Sequence, residues 1–255
     1  MSGKYDKELK RYQEDGFCVV RGFFSNQEVS EIAAAVDAFI ERESAGLKGR
    51  QINFTDGQVN SIHVLMNSSE GFFYNLLNSK KAKRVATAFL EDDAVPRASE
   101  LFAKPAKVGL PSPWHQDNAY WCVDNANGLT VWIALDECDE SNGCVTYFKG
   151  THKIGLIAHS PSFAPGSSQM IEEEHVLTHY AKTRVAPALK PGDVLVHHCL
   201  IIHGSSANKS GRPRRGVTLQ YIGKKSGYDM EMKARYEALL ADQVRMRETH
   251  QAGSR

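Results

Sequence analysis

The chain has 255 residues, 42% of them hydrophobic and 24% charged, with a formal net charge of +1. That length can bury a sizeable core, and the near-zero charge gives no reason to expect a nucleic-acid partner or an acidic membrane surface. No apolar run approaches the roughly 20 residues needed to cross a bilayer, and the opening MSGKYDKELKRYQEDG lacks the apolar core of a secretory leader. The five cysteines, Cys18, Cys122, Cys138, Cys144 and Cys199, form no CxxC pair and are odd in number. They are expected to be reduced thiols in a cytoplasmic protein.

Tyr5 to Glu14 is charged and predicted helical, and Gly16 breaks it ahead of the strand-forming run FCVVRGFF. Ser25-Asn-Gln-Glu28 has the pattern of a capping box, and the helix it opens spaces Val29, Ile32, Ala33, Val36, Phe39 and Ile40 on one face to about Glu43. A strand is expected at Ser61 to Leu65. Phe72 to Leu90 is a second helical region, closed by the acidic turn Glu91-Asp92-Asp93. From about Ala98 to Tyr221 short strands alternate with Gly, Pro, Asn and Ser: ELFAK, LTVWIAL, CVTYF, VLVHHCLIIH and GVTLQYI. Strands at this spacing predict a β-barrel or sandwich. Ser160 to Ser168 is a loop, either a lid or a plain connector, and Asp229 to His250 is a charged helical tail carrying Met232, Tyr236, Leu239 and Leu240. No linker divides the chain, so one domain is expected over 1–255. It would comprise a helical part to about 95, a β core at about 98–222 and the tail at about 229–250.

The stretch PWHQDNAYW puts His115 and Asp117 two residues apart. On an extended segment side chains alternate, so the two would point the same way and could take adjacent positions around a metal. A third ligand has to come from GDVLVHHCLIIHGSS, which offers His197, His198 and His203. Two histidines and one carboxylate make up the facial triad of non-haem Fe(II) oxygenases. Catalytic zinc would more often draw two histidines from one helix as HExxH, and the chain has no such motif.

The segments PWHQDNAYW, LTVWIALDECDESNGCVTYFKGTH and GDVLVHHCLIIHGSSANKS, the last followed by an arginine, resemble the phytanoyl-CoA dioxygenase family. The likeness runs from VVRGFF to about Tyr221. It implies a mainly β protein with flanking helices, built on a double-stranded β-helix (a jelly-roll, cupin-like core), that uses Fe(II), 2-oxoglutarate and O2. It also implies that the third ligand is the histidine directly before Gly-Ser, His203, and that the arginine eleven residues on, Arg214, pairs with the far carboxylate of 2-oxoglutarate. Arg215 should face the other way, and Arg212 with Arg215 suits a solvated turn. His198 is then a core histidine or a group behind the ligands, and His197, with the opposite facing, is structural.

Other positions carry two readings each. Trp132 is core by type, yet the resemblance places it against the cosubstrate. Ser205 is an ordinary strand-end serine or a cosubstrate donor. Glu100 shares a strand face with Phe102 and Lys104, and is either a surface carboxylate or one that meets a cationic substrate group. Tyr120 and Trp121 form a substrate wall or pack in the core. Asn60 to His63 falls where relatives place a contacting strand, and His63 is its candidate substrate contact. Asp117 stands where related halogenases carry a small residue, which favours hydroxylation over halogenation.

The function expected is hydroxylation of a C–H bond in a small metabolite, amine-bearing or amino-acid-like, with succinate and CO2 as coproducts. The alternatives are desaturation, epoxidation or demethylation at the same site, or a non-catalytic cupin-like binding module.

Overall fold

A computed structural model describes residues 4–252, with side chains described as far as Met246. The chain opens with α1 (Asp6–Asp15), β1 (Phe17–Val20) and α2 (Asn26–Glu43). The capping box is present: the Glu28 backbone N–H donates to Ser25 Oγ at 3.3 Å, and the Ser25 N–H donates to the Glu28 carboxylate at 2.7 Å. In place of one strand at 61–65 there is a hairpin, β2 (Ile52–Thr55) and β3 (Gln58–Ile62). Its two-residue turn, Asp56-Gly57, has φ of 48° and 69°, the left-handed pair that a tight hairpin needs.

The expected second helix divides into α3 (Phe72–Asn78) and α4 (Lys80–Leu90). Ser79 is extended between them, and its hydroxyl accepts the Ala82 N–H to start α4. The remaining elements are β4 (Ala94–Lys104), β5 (Ser112–His115), α5 (Asn118–Trp121), β6 (Gly128–Ala134), β7 (Thr146–Phe148), β8 (Ser160–Pro161) and β9 (Gln169–Met170). After these come α6 (Glu173–Tyr180), β10 (Arg184–Val185), β11 (Val194–His198), β12 (His203–Ser205), β13 (Arg214–Gly223) and α7 (Met230–Ala252).

Seven strands form one antiparallel sheet in the order β1-β11-β6-β13-β4-β3-β2, and four form a second in the order β10-β7-β12-β5. Together they make a double-stranded β-helix with flanking helices. Alternation decides what each strand contributes. In β6, Leu129, Val131 and Ile133 pack against α2, α3 and α4, while Trp132 and Ala134 face the smaller sheet. In β11, Val194 and Val196 face the helices and Leu195 faces inward. In β13, Val217, Leu219 and Tyr221 face the helices.

The run VLVHHCLIIH is not one strand. It breaks after His198, and His203 restarts in the other sheet opposite His115. Side-chain bonds hold the break: Gln116 Nε2 donates to Leu200 O at 2.6 Å, and the Ile202 N–H donates to Thr151 Oγ1 at 2.9 Å.

Candidate active site

β5 ends at His115, and Asp117 is not extended: its φ of −56° and ψ of −35° place it at the entry of α5. The two side chains therefore converge through a turn and not through strand alternation. The neighbouring residues fix that turn. Gln116 is fully buried, donates to Gly155 O and Leu200 O, and accepts from the Ile157 N–H. Asn118 exchanges two hydrogen bonds with the Val123 backbone at 3.0 and 2.9 Å. In HQDN, Gln and Asn hold the backbone while His and Asp project from it.

His203 lies directly opposite His115 in the pairing of β12 with β5. His115 Nδ1 is 2.8 Å from Pro113 O, and His203 Nδ1 is 3.0 Å from Ile201 O. A carbonyl only accepts, so each Nδ1 carries the hydrogen and each Nε2 keeps its lone pair. Both Nε2 atoms lie 3.6 Å from Asp117 Oδ1. One ligand atom from each of the three residues lies within 4.8 Å of the others, a set that can hold one metal ion. Burial, with His115 close by, pushes His203 well below the ordinary imidazole range, so it stays neutral and able to ligate. Burial alone would raise Asp117, and His197, hydrogen-bonded to its second oxygen, acts to lower it.

The second oxygen of Asp117 is also engaged. Oδ2 accepts from Thr130 Oγ1 at 2.9 Å and meets His197 Nε2 at 3.2 Å. His197 Nδ1 in turn lies 2.8 Å from the Tyr147 hydroxyl. Asp117 therefore presents Oδ1 to the imidazoles because Oδ2 is held from behind. Sequence reasoning missed Thr130, Tyr147 and the contact His197 makes. His198, whose Nδ1 accepts the Leu200 N–H, is half-buried and lowered by burial to about 4.

Arg214 is 2% exposed and has no carboxylate partner among the described residues. Nε and Nη2 donate to Gly143 O at 3.0 and 2.9 Å, Nη1 donates to Phe102 O at 3.2 Å, and Nη2 lies 3.5 Å from Ser205 Oγ. Its guanidinium is 5.5 Å from the ring of Trp132. Trp132 can lie there because residue 216 is glycine: a Cβ at that position would fall 1.9 Å from the indole. A buried cation without a counter-ion suits an anionic guest, since burying an unpaired charge is costly. Arg215 faces outward onto Asp136 and Asp37, and Arg212 pairs with Glu137 and Asp139 at the surface. Fe(II) suits the imidazole and carboxylate donors of the triad, and the dianion 2-oxoglutarate suits the Arg214 guanidinium, which is buried behind the cavity lining and does not itself line it.

A cavity of about 410 Å³ opens beside His115 and Asp117, and His63, Glu100, Tyr120 and Trp121 line it. Glu100 accepts from Gln220 Nε2 at 2.8 Å and meets His63 Nδ1 at 3.2 Å. Tyr120 stands edge-on to His115, and its hydroxyl bonds Gln169 O at 2.8 Å. Pro165 to Ser168 form part of the wall, as does one face of α7 through Tyr236, Leu240 and Gln243. Gln243 ties the two together by donating to Ser162 O and Ser168 O at 3.1 and 2.7 Å. Arg50, Arg97 and Gln220 also line the cavity, and none of the three was singled out in the sequence.

A profile of the family described as Phytanoyl-CoA dioxygenase (PhyH) matches residues 12–216. The chain is 26% identical over 232 residues to the peroxisomal phytanoyl-CoA dioxygenase of Mus musculus, covering 84% of this chain and 67% of that protein. It is 26% identical over 230 residues to the ectoine dioxygenase of Sphingopyxis alaskensis, covering 84% and 74%. Among solved structures, a non-heme alpha ketoglutarate dependent carbocyclase from nogalamycin biosynthesis superposes with a TM-score of 0.70 at 22% identity, covering 87% of this chain and 85% of the other. EctD from S. alaskensis with 2-oxoglutarate and 5-hydroxyectoine gives 0.69 at 23%, covering 85% and 75%. At those identities the superpositions speak to the fold.

Proposed function

The chain belongs to the phytanoyl-CoA dioxygenase family, and from that premise we propose how its own residues serve an Fe(II)- and 2-oxoglutarate-dependent dioxygenase that hydroxylates a small-molecule metabolite, with succinate and CO2 as coproducts. His115, Asp117 and His203 are the iron ligands. The observation that carries this is the pair of carbonyl-bound Nδ1 atoms, which turn two imidazole lone pairs toward one carboxylate oxygen. Iron with 2-oxoglutarate and O2 supplies the oxidising power for C–H cleavage.

The chain's residues bind and orient. Arg214 takes the far carboxylate of 2-oxoglutarate, Ser205 adds a hydroxyl beside it, and Trp132 covers the guanidinium. Thr130 and His197 keep Asp117 ionised and turned toward the metal. Tyr120 and Trp121 wall the substrate, and the tie between Gln243 and the 162–168 segment holds α7 against the cavity wall. Packing of α2–α4 on the larger sheet, with α7 lining the cavity, supports one catalytic domain over 1–255.

The substrate carries an amine, read by the Glu100 carboxylate with His63 beside it. Glu100→Gln should then raise the substrate KM far more than the 2-oxoglutarate KM. All five cysteines are buried free thiols, which supports a reducing compartment, and we place the protein in the cytoplasm. Among the described residues no helix is long and apolar enough to cross a membrane. The deciding experiment is succinate release from purified protein, which should require both Fe(II) and 2-oxoglutarate and disappear in His115→Ala, Asp117→Ala and His203→Ala. Succinate release that survives all three changes would overturn the ligand assignment.

A further inference from the structure

We propose that Arg97 is the anchor for a carboxylate on the substrate, which makes the substrate a zwitterion of the amino-acid type. This rests on reading the cavity as the substrate site and extends it from an amine to a pair of opposite charges.

The argument begins with which charges in the cavity are already matched. Asp117 faces the two imidazoles. Glu100 has one oxygen on Gln220 and the other on His63. His63 is bonded on its far side to Ser61 Oγ at 3.0 Å. Among the described residues two guanidinium groups in the cavity have no acidic partner: Arg97 bonds the neutral oxygen of Gln220, at 2.6 Å, and Arg50 meets the Tyr236 hydroxyl, at 3.4 Å. With the iron, its aspartate, 2-oxoglutarate and Arg214 in balance, two guanidiniums and one carboxylate remain to face the substrate. A neutral amine would leave both cations unmatched, and a cationic one would add a third positive charge.

Arg97 is also held ready. Its guanidinium lies 4.8 Å from the ring of Trp121, on the turn that follows the metal-binding stretch, and one Nη1 is fixed by Gln220. The stacking leaves the other N–H groups in the guanidinium plane, where a carboxylate can approach as a fork. The backbone arranges this. The pairing of β4 with β13 slips between Gln220 and Tyr221, opposite Ala98 and Pro96, so that Arg97 is the extra residue of a bulge. In an unbroken strand it would face away from Ala98 and Glu100. The bulge turns it onto their side. Gln220 then touches both charges, its oxygen on Arg97 and its nitrogen on Glu100, so the two arms lie one amide apart.

The test is calorimetric. Enzyme loaded with Fe(II) and 2-oxoglutarate is kept anaerobic and titrated with L-α-amino acids, each paired with its carboxamide and its decarboxylated amine. At least one acid should bind about 30-fold or more tighter than its amide, the range expected when a charged pair at a binding surface loses one partner. In Arg97→Gln that preference should fall to about 3-fold or less, and Arg97→Lys should restore part of it. Circular dichroism and metal content check that the variants fold; where Arg97→Gln does not, the acid and amide comparison on the unmutated enzyme decides alone. The proposal is overturned by no acid binding, by equal binding of acid and amide, or by a preference that persists in Arg97→Gln. It is also overturned if that variant weakens 2-oxoglutarate instead. Failure of the unmutated protein to form succinate would be a separate result, against the enzymatic reading itself.

Discussion

Arg214→Met removes a cation that the apoprotein buries without an ion-pair partner, so its effects on binding and on folding should diverge. The guanidinium gives up hydrogen bonds to two carbonyls and sits in a site that is 2% exposed. Without it, the far carboxylate of 2-oxoglutarate would be buried at the same place unpaired. Breaking a buried pair by removing one partner costs about 3–5 kcal/mol, and each 1.4 kcal/mol is about tenfold in an equilibrium constant, so the 2-oxoglutarate KM should rise roughly 100- to 4,000-fold. The apoprotein should not melt earlier by a matching amount, because an apolar side chain of similar volume replaces an uncompensated buried charge. Arg215→Met, one residue along on the outer face, should leave the 2-oxoglutarate KM alone and cost only the partly exposed pairs with Asp136 and Asp37. The assay is succinate release against 2-oxoglutarate concentration, with melting of each apoprotein alongside. A KM change below about threefold in Arg214→Met, or a larger one in Arg215→Met, would refute both the anchor and the alternation argument.

His203→Ala should abolish Fe(II) binding in an equilibrium titration while His198→Ala retains it; the reverse would move the ligand to His198. His197→Phe removes the bond to Asp117 Oδ2 and leaves the Tyr147 hydroxyl without its partner, so metal affinity should fall about 10- to 100-fold. An unchanged metal titration in that variant would leave Asp117 positioned by Thr130 alone. Burial, reinforced by Arg214, lowers Lys104 to about 6. Above that pH the folded chain has shed a proton that the unfolded chain still holds up to its ordinary pKa, so apoprotein stability should climb with pH from about 6 to about 10. Lys104→Met should flatten the climb in urea melts, and an equal climb in both proteins would place its source elsewhere.

The fold class was legible because strand spacing and alternation are local properties. The division of Leu129, Val131 and Ile133 from Trp132 and Ala134 is period two and nothing more. The same rule separates buried Arg214 from Arg215. It also turns His197 inward with Leu195, toward Asp117. The hairpin β2–β3 carried its signal in Asp56-Gly57, a turn pair that went unused.

Two breaks had no local signal. Cys199 to Ile202 contains no glycine or proline, and the break is held by bonds from Gln116 and Thr151, distant in sequence, together with His198, whose Nδ1 accepts the Leu200 N–H. Strand alternation likewise brought His115 and Asp117 together on paper. In the structure a turn does so, and it is held by side chains whose partners lie tens of residues away.

The limits of legibility coincide with the division of labour in the site. His115, His203 and Arg214 project from strand ends whose facing is fixed by the sheet, Asp117 from the turn that follows β5, and all four lie within the residues that match the family, 12–216. The groups proposed to meet the substrate come from features that relax the sheet or lie beyond it. Arg97 enters through a bulge, His63 follows a hairpin, Pro165 to Ser168 sit between two short strands, and Tyr236 and Gln243 belong to α7, past the matched segment. A rigid strand fixes a side chain to the tolerance that metal coordination needs, and a bulge or appended helix can change without disturbing it. On the proposed reading the oxidising centre would be the part of this chain that its relatives can share, and the charged pair across Gln220, with α7 lining the same cavity, would set the choice of substrate.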